Sequence, residues 1–315
     1  MLKVGVLNAG TLENIHLKAW QDVDQTEVMG FFESDDLVAE QIEQRFSFSR
    51  FSDLDYLMDA CDLIDITAPG EDCFAWCERA IRKGKHVFID RRLAASVDEA
   101  KELVKLVRES NVKFQVGYAE RFNPALSRIQ RMELRPRLID AENLGIVPVK
   151  SGSPHPFFNS MVADIDTVLS IVKSDVKGLS AISASVLAAT GDVINARIEF
   201  YNGCVANVTW GNLPLPPVHT IRFYETGKLL EVDLLTGKTR VLEKGKLRET
   251  PDPVSRRTVK NHPAGEQPRN HSARVQLEEF RNAVLNNTSP VVSAIDGLRA
   301  METAYLVLQK IKLNH

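Results

Sequence analysis

The chain has 315 residues, 44% of them hydrophobic and 26% charged, and 39 basic against 42 acidic side chains give a formal charge of −3. This composition excludes a disordered or fibrous chain and suits two domains of ordinary size. The near-balance of charge excludes a whole-protein field for nucleic acid or an anionic membrane, and apolar runs such as 63–68, broken by Asp65, fall far short of the ~18–20 residues of a membrane span.

Residues 1–120 alternate short β-branched runs with longer helical patterns, the sequence form of a doubly wound parallel sheet of Rossmann type. Strands are predicted at Lys3–Asn8, Glu27–Glu33, Leu63–Thr67, His86–Asp90 and Lys113–Val116, with helices at Leu12–Val23, Asp35–Arg45, Glu71–Lys83 and Val97–Ser110. Ser96 and Glu99 form a capping box, and Gly84 ends the helix before it. From Phe122 the texture changes to a helix near 159–173 and alternating strands at 179–187, 193–200, 203–211, 219–225 and 228–234. These predict an α+β domain with a large open, mostly antiparallel sheet, in which Tyr201-Asn202-Gly203 is a hairpin turn. Residues 238–274 hold ten Lys/Arg against four Asp/Glu and four prolines, and read as a solvated, mobile excursion. Helices at about 272–287 and 294–312 close the chain. The expected domains are 1–121 and 122–315, with the closing helices packing back on the first.

A dinucleotide loop of the form Gly-x-Gly-x-x-Gly is expected between the first strand and helix of such a sheet. Here the segment is Asn8-Ala9-Gly10-Thr11-Leu12-Glu13. Asn8 tolerates the left-handed backbone of the first glycine, and Gly10 keeps the close approach to phosphate. Glu13 replaces the packing glycine and would repel a phosphate at ~5 Å by ~1–3 kcal/mol. Glu33, at the end of the second strand, is where an acidic side chain binds the ribose hydroxyls of NAD, which favours NAD over NADP.

Five segments then show a resemblance: Leu63-Ile-Asp-Ile-Thr-Ala-Pro69; Gly84-Lys-His-Val-Phe88 with Leu93-Ala94; Val116-Gly-Tyr118 with Arg121-Phe-Asn-Pro124; Asp164-Ile-Asp166; and Pro290-Val-Val-Ser293 with Gly297-Leu-Arg-Ala300. In these the chain resembles the glucose–fructose oxidoreductase / inositol dehydrogenase / rhizopine catabolism (Gfo/Idh/MocA) family over its whole length. The resemblance implies a nicotinamide-binding first domain, a second domain whose open sheet carries the oligomer contact, and hydride transfer at a sugar, inositol or nucleotide-sugar carbon. The Arg121-Phe-Asn-Pro form looks most like relatives acting on nucleotide-linked amino sugars.

Carried over residue by residue, the resemblance implies a cofactor site at Asn8, Gly10, Thr11, Leu12, Glu33, Thr67, Ala68, Pro69, Asp90 and Arg91. The family's Glu-Lys-Pro is Asp90-Arg91-Arg92 here, so a lysine that meets the substrate hydroxyl becomes Arg91, which keeps the charge but does not deprotonate. The family's Asp and His, four residues apart on one helical face, become Asn159 and Ala163, neither of which can take a proton. The His after Thr-Pro is replaced by Asp72-Cys73. His155 and Tyr118 are the candidate replacements. Three readings follow: a catalytically impaired relative kept as a binding or assembly subunit, an active NAD-dependent dehydrogenase using replacement residues, and a scaffold that binds neither cofactor nor sugar.

The other candidates carry less. Cys73 and Cys77, at i and i+4, read as buried packing, and the remaining histidines make no ligand-spaced cluster, so no metal is expected. Arg121, Arg128, Arg131, Arg135 and Arg137 read as a solvated basic run paired with nearby acids. Nucleic acid is not an expected partner; a sugar or nucleotide sugar is. Strands Val193–Phe200 and Cys204–Gly211 alternate apolar and polar residues, and an exposed apolar sheet face would make the protein a homodimer or homotetramer. Four cysteines (Cys61, Cys73, Cys77, Cys204) and a start that reads as a strand rather than a leader suggest the cytosol.

Overall fold

A computed structural model describes residues 1–8, 15–67, 73–90, 92–130, 132–146, 155–187, 192–243, 246–249 and 268–313. Two compact units make up the chain: Met1–Ala119 with Ala273–Met301, and Glu120–Ser272 with Glu302–His315.

In the first unit, strands β1 (Leu2–Leu7), β2 (Thr26–Phe32), β3 (Leu63–Ile66), β4 (His86–Asp90) and β5 (Phe114–Gly117) form one parallel sheet in the order β2-β1-β3-β4-β5. Helices α1 (Ile15–Gln21), α2 (Asp36–Phe46), α4 (Cys73–Arg82) and α5 (Val97–Glu109) alternate with the strands as the periodicity requires. Ser96 Oγ accepts from Glu99 N–H at 3.2 Å, and Glu99 reaches back to the amide of Ala95 at 2.9 Å, so the capping box closes one residue earlier than its usual form. A further helix, α3 (Leu54–Ala60), was not predicted; Asp53 caps it by accepting from the amides of Asp55 and Tyr56. Val4, Val6, Leu63 and Phe88 pack with Leu17 and Trp20 of α1, Ile42 of α2, and Leu277 and Phe280 of helix α8 (Pro268–Leu285).

A polar cluster lies in this apolar layer. Asp65, fully buried in β3, accepts from His16 Nδ1 at 2.8 Å and from Trp20 Nε1 at 2.6 Å, both on α1. His16 Nε2 stands 3.9 Å from Asp90 at the end of β4. These bonds fix the rotation of α1 on the sheet, in a chain whose nucleotide loop has lost the glycine that would let the helix pack closely.

In the second unit, an eight-stranded sheet has the order β13-β12-β11-β10-β6-β9-β8-β7 among the described residues. Its strands are β6 (Leu138–Gly145), β7 (Val176–Ala184), β8 (Val193–Phe200), β9 (Val205–Asn212), β10 (Val218–Glu225), β11 (Lys228–Asp233), β12 (Lys238–Glu243) and β13 (Lys246–Glu249). All pairs are antiparallel except β6 with β9, which is parallel. Gly203, at φ 84°, makes the tight turn from β8 to β9. Helix α6 (Pro124–Gln130) precedes the sheet, α7 (Phe158–Val172) follows β6, and α9 (Ala294–Leu313) closes the chain.

Three expectations are corrected here. Strand β6 lies just after the basic run that ends at Arg137, where no strand is expected, although Ile139 and Ala141 alternate with Asp140 and Glu142. The stretch 238–274 is not an excursion throughout, because 238–243 and 246–249 are strands and α8 starts at Pro268; charged side chains are usual on edge strands, where they discourage further pairing. Finally, among the described residues the sheet shows no broad apolar outer face. Ile194, Ile198, Phe200, Ala206, Val208, Ile221 and Phe223 are all buried, while the opposite positions carry polar ladders: Asn195 to Thr209 (2.9 Å), Asn207 to Asp140 (2.9 Å), and Arg222 and Arg240 to Glu231 (2.7 and 3.0 Å). The apolar-face argument for a homodimer or homotetramer therefore falls. No helix among the described residues is long and apolar enough to cross a membrane.

Replacing Asp65 with Ala would leave the buried His16 and Trp20 donors without their acceptor. We expect the protein to lose roughly 2–5 kcal/mol of stability. Urea unfolding checks this, and a loss below about 1 kcal/mol would contradict the assigned role of the cluster.

Candidate active site

Open parallel sheets bind ligands at the carboxyl ends of their strands, where the strand order reverses. In the first unit that point lies between β1 and β3. Thr67, just after β3, spans it: its amide donates to Leu7 O at 3.1 Å, and its hydroxyl lies 3.0 Å from Leu7 O and 2.7 Å from Asn8 O. Asn8 itself has φ 57°, the left-handed turn for which Asn is suited. Glu33 follows β2, is 5% exposed, and accepts from the amide of Asp35 at 3.2 Å. Asp90 ends β4 and is buried. A turn residue where β1 ends, and a carboxylate where β2 ends, are the groups a dinucleotide requires there, so the described residues fit one. Gly10, Thr11, Leu12, Glu13, Ala68, Pro69, Arg91 and Arg131 lie outside the described residues.

The second unit carries a different cluster. Asp164 of α7 is 2% exposed, and three donors converge on it from one row of the sheet. Trp210 of β9 donates Nε1–H to Oδ2 at 2.9 Å, Asn143 of β6 donates to the same oxygen at 2.9 Å, and His219 Nε2 of β10 meets Oδ1 at 2.7 Å. The register explains the convergence, since Asn143 is paired with both Trp210 and His219. Burial would lower the pKa of His219, but the charge and hydrogen bond of Asp164, with the charges of Glu120 and Asp233, raise it above its usual value. Nearby, Arg121 grips Asp166 through two bonds, Nε to Oδ2 at 2.7 Å and a terminal nitrogen to Oδ1 at 2.9 Å, so this arginine has an acid partner as expected.

Asn159 and Ala163 lie one turn apart on α7; Ala163 is buried, and Asn159 Oδ1 is shielded from solvent with no hydrogen-bond partner. His155 precedes α7, half-buried, its Nδ1 accepting from the amide of Phe157 at 3.3 Å and its ring 4.9 Å from that phenyl ring; burial lowers its pKa. Tyr118 follows β5 and is fully buried. The sequence reading missed the Asp164–His219 pair, because the partners are 55 residues apart and meet only through strand register.

The cysteines are buried free thiols. Burial pushes Cys61 up to about 12 and Cys204 up to about 11, and raises Cys77 well above the ordinary thiol value with help from its bond to Cys73. Thiols of this kind are poor nucleophiles. No group of three or more His, Cys, Asp or Glu that could hold a metal occurs among the described residues.

Residues 2–118 match the oxidoreductase family model GFO_IDH_MocA, with an NAD-binding Rossmann fold. The chain is 21% identical over 307 residues to UDP-N-acetylglucosamine 3-dehydrogenase of Acidithiobacillus ferrooxidans, covering 97% of this chain and 96% of that one. It is 30% identical over 110 residues to scyllo-inositol 2-dehydrogenase (NAD(+)) of Bacillus subtilis, covering 34% of this chain and 30% of that one. The solved structure of the Acidithiobacillus enzyme superposes with a TM-score of 0.86 at 20% identity, covering 99% of this chain and 98% of that one. An oxidoreductase domain protein from Kribbella flavida gives 0.89 at 15% identity, over 100% of this chain and 98% of that one. At these identities the superpositions establish the shared fold.

The raised pKa of His219 has a consequence for stability. A histidine that binds its proton more tightly when folded contributes stability that is full below the ordinary value of 6.5 and is lost as pH rises through the folded value. The stability gap between the protein and a His219→Gln variant should therefore shrink as pH rises from below 6.5. Denaturant titrations across that range check this, and a gap that widens with pH would contradict it.

Proposed function

We propose that the protein is an NAD-dependent oxidoreductase acting on a CH–OH carbon of a sugar or nucleotide sugar. The observation that carries this reading is the strand-order reversal between β1 and β3, bridged by Thr67, with Asn8 turned left-handed at one strand end and the Glu33 carboxylate at the next. Bound there, NAD would supply the hydride acceptor. Asn8 turns the chain out of β1, Thr67 ties β3 to that turn, and Glu33 faces the ribose hydroxyls. Gly10, Thr11, Leu12, Ala68, Pro69, Asp90 and Arg91 complete the proposed cofactor site. The end-to-end similarity to UDP-N-acetylglucosamine 3-dehydrogenase supports a nucleotide-linked amino sugar as the substrate class.

A second reading, an impaired relative retained as a binding or assembly subunit, is favoured by Asn159 and Ala163, neither of which titrates. His155 and Tyr118 are less suited to replace them as bases: the first spends Nδ1 on a backbone amide, and the second is fully buried.

Calorimetric titration with NAD and NADP tests the proposal. Because Glu33 would face the additional phosphate of NADP with a like charge, NAD should bind about tenfold more tightly or better, a difference of about 1.4 kcal/mol. Glu33→Gln should narrow that preference. Tighter binding of NADP would contradict the cofactor assignment, and binding of neither would leave only the scaffold reading.

A further inference from the structure

A buried guanidinium is normally met by a carboxylate. Arg274 pairs with Glu278 at 2.7 Å, and Arg121 pairs with Asp166. Arg92 is 5% exposed, yet its Nε and Nη1 are shielded from solvent with no hydrogen-bond partner, and among the described residues no ion pair reaches it. Arginine does not deprotonate at ordinary pH, so unlike lysine it cannot escape burial by becoming neutral. A charge enclosed without a counter-charge is a heavy cost to a fold. The place of Arg92 says where a counter-charge would come from. It stands two residues beyond the end of β4, on a turn closed by its own amide donating to Asp90 O at 3.0 Å. That is the carboxyl edge of the first unit's sheet, the edge at which open parallel sheets hold ligands. In the order β2-β1-β3-β4-β5, β4 lies two strands from β1 and three from β2, on the far side of the strand-order reversal from Glu33. At a spacing of about 4.8 Å per strand, a cofactor with its ribose at Glu33 and its pyrophosphate at β1 has its phosphates about 10 Å from the end of β4. The anion that Arg92 lacks therefore belongs to a second molecule.

We propose that Arg92 is an oxyanion-binding residue that takes a phosphate or carboxylate carried by the substrate. The substrate is then an acidic sugar derivative, such as a nucleotide sugar, a sugar phosphate or a uronate, and not a neutral hexose or inositol. The inference rests on the dehydrogenase reading, which it deepens by fixing the charge of the substrate. Nε and Nη1 carry three unspent N–H groups between them, and the planar fork of arginine matches either oxyanion through paired N–H···O bonds. Side-chain rotamer changes on binding are common, and the long arginine stem lets the fork turn to meet a ligand. An anion bound there neutralises the enclosed charge, so it stabilises the fold as it binds.

The test compares the full chain with an Arg92→Met variant, which keeps an apolar stem and removes the charge. Without ligand, the variant should unfold at an equal or higher urea concentration than the unaltered protein, because an unpaired buried charge is gone. Calorimetric titrations with saturating NAD then use UDP-N-acetylglucosamine, glucose 6-phosphate and glucuronate, with N-acetylglucosamine and myo-inositol as neutral controls. The unaltered protein should bind at least one of the anionic compounds, and the one that binds tells diphosphate, monophosphate and carboxylate apart. Arg92→Met should bind that compound about tenfold more weakly or worse, with NAD and the neutral controls changed less than about threefold. Arg92→Lys, which restores the charge without the fork, should recover part of the loss. A lower urea midpoint for Arg92→Met without ligand would show that the charge already has a partner within the protein, and would overturn the proposal. So would binding of the anionic compounds within about threefold by both proteins, or binding of none by the unaltered one. An equal loss of NAD affinity in the variant would also overturn it, by assigning the arginine to the cofactor. If NAD does not bind at all, the dehydrogenase reading fails by itself, and the same titrations without NAD, with the urea comparison, still decide the role of Arg92.

Discussion

A carboxylate removed from water has to be met by hydrogen-bond donors, and in each unit one such group sets how a helix sits on its sheet. Asp65 draws His16 and Trp20 of α1 to β3, and Asp164 draws α7 to a row formed by Trp210, Asn143 and His219. Apolar packing alone would hold both helices against their sheets, since Leu17, Trp20, Phe158 and Ile165 are all buried. It would constrain their rotation and register less sharply, because hydrophobic contact is non-directional. The helix next to the nucleotide loop and the helix bearing Asn159 and Ala163 are thereby each given one orientation.

The two carboxylates differ in what they leave available. Asp65 is fully enclosed and its histidine is 3% exposed, so that cluster is suited to holding α1. Asp164 is equally enclosed, but His219 keeps one ring nitrogen outside the network. Burial is the largest influence on Cys61 and Cys204, and it raises their pKa and suppresses the thiolate, for Cys61 despite the charges of Lys85 and Lys3.

Much of the fold could be read directly from the sequence. The five parallel strands and four of their helices follow from apolar periodicity, and the left-handed Asn8 and the Gly203 turn follow from residues that accept positive φ. What escaped has physical causes. Helix α3 is two turns long, too short for a periodic pattern to show, and only Asp53 as its cap marked it. Strand β13 at the sheet edge carries charges because an edge is safer when charged, and β12 beside it alternates Lys238, Arg240 and Glu243 with less polar residues, which makes both resemble solvated loop. The outer sheet face was misjudged because alternation tells that a strand is one-sided without telling that the polar side faces out in a laddered form. The Asp164 cluster depends on β6 pairing with both β9 and β10, a long-range register that no local pattern encodes.

The central proposal is that this chain moves a hydride from a sugar carbon to a nicotinamide. Its most direct test is a single-turnover mixture of the protein, NAD and ring-deuterated sugars and nucleotide sugars, followed by mass spectrometry of the cofactor. The account predicts reduced cofactor carrying one deuterium from the substrate. Cofactor that binds yet stays fully oxidised with every compound would contradict it.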